Sequence, residues 1–492
     1  MKTGEDIEAE VPVVESFSSM NTTKAESDES FEVRFGDGDD KEDLKNLSIW
    51  YKWLITVIIS FTAFWITFIS SSWSLASDNI MKHFHVGHVV SVLGLSLYVW
   101  GLGSGGIFLS PISENHGRKI VYTVSLVLVF AFECLTSFCS NLGGMMFGRF
   151  MSGFFGSVFM SVAAGSISDI FPKEHIKNPL LLFSVAPFIG PGLLPVVTGF
   201  INMHLYFRWT FHIMLIVTFV ILLLIVIVIP ETYGPVLLKK KAARLREQID
   251  PRYLAPIEKS ELTPFQSVML SAKRPVQLML KDYMIQALCF FTGFCQAIVY
   301  LFFVAIPYIF ETLYHFNLQF QGLAFLGLVV GMALMTYLSS FIFDGWFRRL
   351  VKKNGGVVKP EYKFLPLIGG VFVVPVGLFI VAWTSYSHLH WMGPIIGSGI
   401  FGGGTILVFN GVFAYTVDAY RLYAATAMAT NSFIRCTMAG VFPLFGLQMY
   451  KAMGIHWATT LMALVGCILI PIPIIFFKWG ETLRRKSPFT WS

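Results

Sequence analysis

Apolar runs of about 20 residues recur from Ile55 to Phe477, with short polar or basic breaks between them. Each run is long enough to cross a bilayer core of about 30 Å as a helix. Lipid offers no partner for backbone N–H and C=O groups, so only helices or closed barrels can span it. Charged residues make up 13% of the chain, about half the usual share in soluble domains. The pattern predicts an all-α polytopic membrane protein with twelve transmembrane helices in two six-helix halves. The expected spans are 53–77, 89–112, 119–140, 145–169, 178–202, 209–230, 283–309, 320–343, 364–386, 393–417, 423–447 and 457–478.

Charge placement sets the expected orientation. Of the 36 Lys and Arg, 25 fall in the turns after even-numbered spans, at their edges (Lys119, Lys478) or in the C-terminal tail. By the positive-inside rule those turns and both termini are cytosolic. The expected organisation is a disordered acidic tail (1–50), a first helical bundle (51–230) and a basic central loop (231–282). A second bundle (283–480) and a short tail (481–492) follow. The tail's disorder follows from its 14 acidic residues in positions 1–46 and its few large apolar groups. The halves echo each other faintly. Span 4 ends SISDIF (Ser166–Phe171) and span 10 ends YTVDAY (Tyr415–Tyr420). Repeated halves suit a transporter that rocks around a midplane site.

Several chemistries are disfavoured. The six cysteines form no CxxC pair, so a metal site is not expected. Gly101, Gly103 and Gly106 match GxGxxG but lie mid-span with no preceding strand, which argues against a dinucleotide cofactor. The basic loops are accounted for by topology, so nucleic acid is not implied.

Polar groups inside the spans are the candidate functional residues, because burying them in lipid is costly. Arg149 in span 4 needs a partner, and Glu133 in span 3 falls at similar depth in the hairpin. A Glu133–Arg149 pair is therefore expected, as a proton-sensitive site or a structural ion pair; Asp78 competes as the partner. The turn after span 2 holds Glu114, Gly117, Arg118 and Lys119. Glu114 could meet a helix N-terminus across the half interface, and Arg118 could pair with Asp169. Together these would form a cytosolic gate, or simply a positive-inside anchor. Span 5 carries Pro187, Pro191 and Pro195 at a spacing of four, beside Gly190, Gly192 and Gly199. Each proline removes a helical donor, and the glycines let another backbone approach. A bent helix pressed against a partner is expected. Trp65, Tyr300, Phe303, Asn410, Asn431 and Arg435 are candidates to line a substrate cavity, with packing as the plainer role for the aromatic residues.

These segments resemble the major facilitator superfamily, in its fungal twelve-span drug:proton antiporter branch, over about residues 50–486. SENHGRK (Ser113–Lys119) is similar to the first loop motif, with Ser110 where glycine is usual. GRFMSG (Gly148–Gly153) is similar to the span 4 arginine motif, which in the family is tied to proton transfer. IGPGLLPVVTGF (Ile189–Phe200) is similar to the antiporter motif, with Leu194 and Thr198 where glycines are common. PETYGPVLLKKKAARLR (Pro230–Arg246), RWTF (Arg208–Phe211), GLAFLG (Gly322–Gly327), KPEYKF (Lys359–Phe364) and VDAY (Val417–Tyr420) match the branch closely.

The resemblance implies a proton-coupled exporter of small amphipathic or cationic organic compounds, such as drugs, toxins and polyamines. It would work by alternating access, as a monomer in the plasma membrane, with the proton gradient in place of a cofactor. It implies no enzyme activity. A proton-symport importer and a non-transporting membrane sensor on the same fold are the alternatives.

Overall fold

The computed structural model describes residues 33, 44–172, 175–255, 258, 264–355, 360–420 and 423–487. Among them the regular structure is helical, without strands. Most of the expected acidic tail lies outside the described residues. Tertiary contacts divide the chain into two units: Leu47–Tyr233 with Leu262–Ser492, and Met1–Asn46 with Gly234–Glu261.

Among the described residues the larger unit contains twelve long helical spans, besides the helix Pro264–Lys281. Spans 1–6 are Ile49–Ser70, His88–His116, Arg118–Phe138, Leu142–Ile170, Lys177–His204 and Arg208–Val228. Spans 7–12 are Tyr283–Tyr314, Leu318–Lys353, Pro360–Thr384, Met392–Tyr420, Ala424–Met453 and Ile455–Arg485. Eleven are long and apolar enough to cross a membrane. Span 11 has the length, at 30 residues, but carries Thr430, Asn431, Ser432 and Arg435 in its first half. Side-chain caps begin several spans. Ser48 accepts from the Tyr51 N–H, Asn141 from Gly143, Asp282 from Met284 and Asn317 from Phe320. Large apolar side chains such as Ile216, Phe219, Ile227 and Ile468 are exposed on the outside, the reverse of a soluble surface.

Span 1 ends sooner than its apolar pattern suggests. The helix stops at Ser70, a serine-rich turn follows, and Ser77–Phe84 forms a separate short helix. Serine hydroxyls compete with the helix for backbone partners there. Ser71 and Ser74 bond carbonyls on spans 5 and 7. Span 5, by contrast, runs unbroken through its three prolines.

The two halves of this unit meet along span 2 with span 11, and span 5 with span 8. Trp100 donates its indole N–H to the Thr437 carbonyl at 3.2 Å. A Cβ on Gly199 would lie 2.6 Å from the Leu318 carbonyl oxygen, so only glycine permits this approach.

The connection between halves is built differently from a single loop. Helix Pro264–Lys281 belongs to the larger unit, where Thr430 Oγ1 donates to the Pro275 carbonyl at 3.2 Å. Helix Gly234–Gln248 belongs to the smaller unit. In that unit Ala242 and Ala255 are buried with Val33, whose N–H donates to the Leu254 carbonyl at 3.1 Å.

Candidate functional site

Three cavities in the larger unit organise the polar residues. The widest, about 590 Å³, lies on the side opposite the basic loops and is lined by both halves. Asp78, His88, Phe303, Glu311, Gln321 and Lys451 are among its walls. A central cavity of about 30 Å³ also lies between the halves. Its polar lining is Thr67, Gln296, Tyr300, Ser432 and Arg435, with Pro187, Phe188 and Pro191 of span 5 beside them. The third, about 10 Å³, is enclosed by Ile69, Ser72, Glu133, Thr136, Ser137, Arg149, Ser152, Phe211 and Met214. That is about the space one water needs.

Arg149 and Glu133 share the smallest cavity without forming the expected ion pair. The guanidinium instead donates to the carbonyls of Ser70 (2.9 Å), Ile69 (3.2 Å) and Gly94 (3.3 Å), and to Ser72 Oγ (3.1 Å). The Tyr98 ring faces it at 4.3 Å. The physical reason is the early end of span 1. Its last carbonyls lack the usual i+4 donors, with Ile69 accepting the Ser72 N–H of the turn instead, and form a partial negative pole, which matches the fork of an arginine. Glu133 is 5% exposed, and neither carboxyl oxygen has a hydrogen-bond partner among the described residues. Asp78 lies elsewhere, in the wide cavity.

On the basic-loop side, Arg118 Nε stands 3.5 Å from Asp169 Oδ2. Its Nη1 donates to Ser113 Oγ at 2.7 Å, and its guanidinium lies over the Tyr233 ring at 4.8 Å. Burial, with the Glu114 carboxylate nearby, pushes the Tyr233 phenol above its usual range. Glu114 does not take the helix N-terminus expected of it; its side chain is exposed. Glu231 does so instead, from the end of its own half. It accepts the backbone N–H groups of Arg118 (2.7 Å) and Lys119 (3.2 Å), and also those of Thr232 and Tyr233. Gly117 makes room, with φ of +96° and the Glu231 carboxylate against its Cα. The acid stands in the PETYG segment. Its only signal in the sequence is that segment's position at the end of the first half.

The second half repeats the plan with other groups. Lys363 Nζ pairs with Asp418 Oδ2 at 2.5 Å, and Arg484 Nε with Glu361 Oε1 at 2.9 Å. Asp282 caps span 7 and accepts from Tyr420 Oη and Ser487 Oγ.

Span 5 contacts spans 1 and 8 through its proline–glycine face. The Pro191 carbonyl, left without a helical donor by Pro195, accepts Ser71 Oγ at 2.7 Å. A Cβ on Gly190 would stand 2.7 Å from the Phe64 carbonyl of span 1. Pro195 and Gly199 face span 8, at Gly322 and Leu318. Thr198 Oγ1 turns inward to the Leu194 carbonyl at 3.2 Å.

The expected cavity residues separate. Tyr300 lines the central cavity and Phe303 the wide one. Tyr300 Oη also meets Ser70 Oγ of the other half at 2.8 Å. Trp65 lines none of the three cavities: its indole donates to Thr218 Oγ1 at 2.9 Å and its ring stacks on Phe68. Asn410 is half-buried and lines none of the three cavities. Successive helical residues point about 100° apart, and Phe409 and Phe413 take the inward face of span 10. Asn431 donates to Thr292 Oγ1 at 2.8 Å, a link between spans 11 and 7. Arg435 faces the central cavity, its guanidinium over the rings of Phe409 (5.5 Å), Phe188 (5.6 Å) and Phe413 (5.6 Å). Phe188 and Gln296 were not among the sequence candidates. Among the described residues no cluster of His, Cys, Asp and Glu is suited to a metal ion.

Comparison with known proteins places this geometry. Residues 53–443 match the model of the Major Facilitator Superfamily. The chain is 49% identical over 473 residues to the "Probable drug/proton antiporter YHK8" of Saccharomyces cerevisiae, covering 95% of this chain and 92% of that protein. It is 37% identical over 488 residues to "Efflux pump atB" of Aspergillus terreus, covering 97% and 94%. It is 32% identical over 468 residues to the "Major facilitator superfamily multidrug transporter FLU1" of Candida albicans, covering 94% and 77%. A solved structure of the xylose transporter XylE from E. coli, in a partially occluded inward-open conformation, shares the fold. Its TM-score is 0.60 at 13% identity, covering 87% of this chain and 99% of that one.

Proposed function

Given that the chain belongs to the Major Facilitator Superfamily, we propose that it is a proton-coupled exporter of small amphipathic organic compounds. Its relatives, named as a drug/proton antiporter and efflux pumps, support export. The observation that carries proton coupling is Glu133. It is the buried acid of a cavity the size of one water, facing an arginine that spends four of its five N–H donors on other oxygens. Such a carboxyl can take and release a proton without dismantling an ion pair. The change in charge beside Arg149 is felt at the end of span 1, which Arg149 holds and which touches span 7.

In this reading the protein works by alternating access as a monomer in the plasma membrane, with both termini cytosolic. Arg118 and Asp169, with Glu231, Gly117 and Lys119, form a cytosolic gate. Gly190, Pro191, Pro195 and Gly199 hold span 5 against spans 1 and 8, which limits proton leak.

Two measurements test it. In vesicles with an imposed pH difference of either sign, substrate should move against the proton flow. Accumulation only in the direction of the flow would instead identify a symporter. The Glu133→Gln variant should flatten the pH dependence of transport while leaving the protein folded. An unchanged pH profile would remove Glu133 from the coupling.

A further inference from the structure

The charge of the central cavity bears on the cargo. Among its twelve lining residues there is one cation, Arg435, and no acid. Arg435 is 8% exposed. Among the described residues its guanidinium has neither a hydrogen-bond acceptor nor a carboxylate partner. Its neighbours are three phenylalanine rings at 5.5 to 5.6 Å, and Nε is buried without a partner. An arginine brings five N–H donors in a rigid fork and cannot lose its charge. Ring faces stabilise the cation but accept few of its hydrogen bonds. A buried guanidinium in this setting gains most from a planar, bidentate anionic acceptor. Gln296 Oε1, also in the lining, is a second unpartnered polar atom.

We infer that the central cavity recognises amphipathic organic acids, with a cargo carboxylate on the Arg435 guanidinium and its apolar body against Phe188 and the proline face of span 5. This rests on the export reading above and narrows it, against the cationic cargo that the sequence resemblance suggests. An organic cation would meet a like charge in a low-dielectric site and find no acid there. Phe188 comes from span 5 of the first half, and Phe409 and Phe413 from span 10 of the second. The two walls around the guanidinium therefore move apart when the halves rock, which admits a cargo larger than the 30 Å³ seen here.

The charge of the cargo also sets the electrical signature of transport. In a one-for-one exchange, a monoanion leaving and a proton entering move charge in the same electrical sense. A potential negative on the cytosolic side drives both steps. Exchange of a monocation for a proton moves no net charge and is indifferent to that potential.

Three probes of one shape test the assignment: 2-naphthoate, the uncharged 2-naphthamide and 2-naphthylmethylammonium. Equilibrium binding to the purified wild-type protein should favour naphthoate over the amide by about tenfold or more, as for a hydrogen bond to a charged group. The ammonium should bind weakest. Arg435→Gln should erase the preference, and Arg435→Lys should keep part of it. Equal or tighter binding of the ammonium by wild type would overturn the inference, whether or not the variants fold. Competition by chloride as strong as by naphthoate would also overturn it, making the site one for inorganic anions. In vesicles, naphthoate efflux should quicken with the potential. If the ammonium or amide is exported against the proton flow and naphthoate is not, the acid assignment fails and export stands. If naphthoate binds with Arg435-dependent preference but no probe moves against the proton flow, export fails and the site stands.

Discussion

Arg149 and Arg435 are both almost wholly buried, one in each half, at 2% and 8% exposure. Arg149 spends its donors on four protein oxygens at the end of span 1 and the start of span 2. Arg435 lies among aromatic rings with no protein acceptor among the described residues. The difference separates two uses of one side chain. A guanidinium with four of its five N–H groups bonded to the protein holds helices in register. One whose bonds are open is available to whatever enters the cavity. Desolvating an ion is costly in either place, so each arrangement has to recover that cost, Arg149 from the fold and Arg435 from its rings and its cargo.

Substitutions can break or sharpen this comparison. Arg149→Leu should have the largest effect, at about 3 kcal/mol or more, because it removes four buried hydrogen bonds and leaves the Ser70 carbonyl without a donor. Thermal unfolding in detergent would show it, and transport of every probe should be lost. Glu231→Ala should cost roughly 2 kcal/mol by uncapping span 3 and freeing the Arg118 segment; the same unfolding assay reads it. Trp65→Phe removes one buried hydrogen bond, to Thr218, and should cost about 1 kcal/mol with cargo selectivity unchanged. Arg435→Leu should have the smallest effect on stability, near zero or slightly stabilising, since it removes a buried charge without orphaning a partner. Unfolding of that variant as early as Arg149→Leu would break the comparison, because it would make both arginines structural.

The sequence carries some of these features well and others hardly at all. The number and order of the spans follow from apolar run length and the charge of the turns. Arg118 and Asp169 come together as their depth at the basic-loop side suggests, at 3.5 Å. The partners of Arg149 could not be read in this way, because most of them are backbone carbonyls, which every residue has. Depth alone put Glu133 beside Arg149, but ion pairing also depends on which way each side chain points around its helix. The same ambiguity explains Trp65, which turns to span 6, and Asn410, whose neighbour Phe409 turns inward to the Arg435 guanidinium in its place. Glu231 and Glu114 are both acids within reach of one turn. Only the fold shows that the chain after span 6 brings the first of them to span 3.

The serines that end span 1 allow the two halves to separate cheaply. Ser70 Oγ donates to the Thr67 carbonyl within its own helix at 2.5 Å, and Tyr300 Oη bonds to that same oxygen from the other half at 2.8 Å. If span 7 withdraws, Ser70 keeps its internal bond, and only Ser74 gives up a carbonyl, that of Phe303. Ser71 stays with Pro191 and Ser72 with Arg149, both inside the first half. On this face the joint behaves as a detachable catch, which engages through the Tyr300 hydroxyl and Ser74 and releases with the end of span 1 still bonded within its own half.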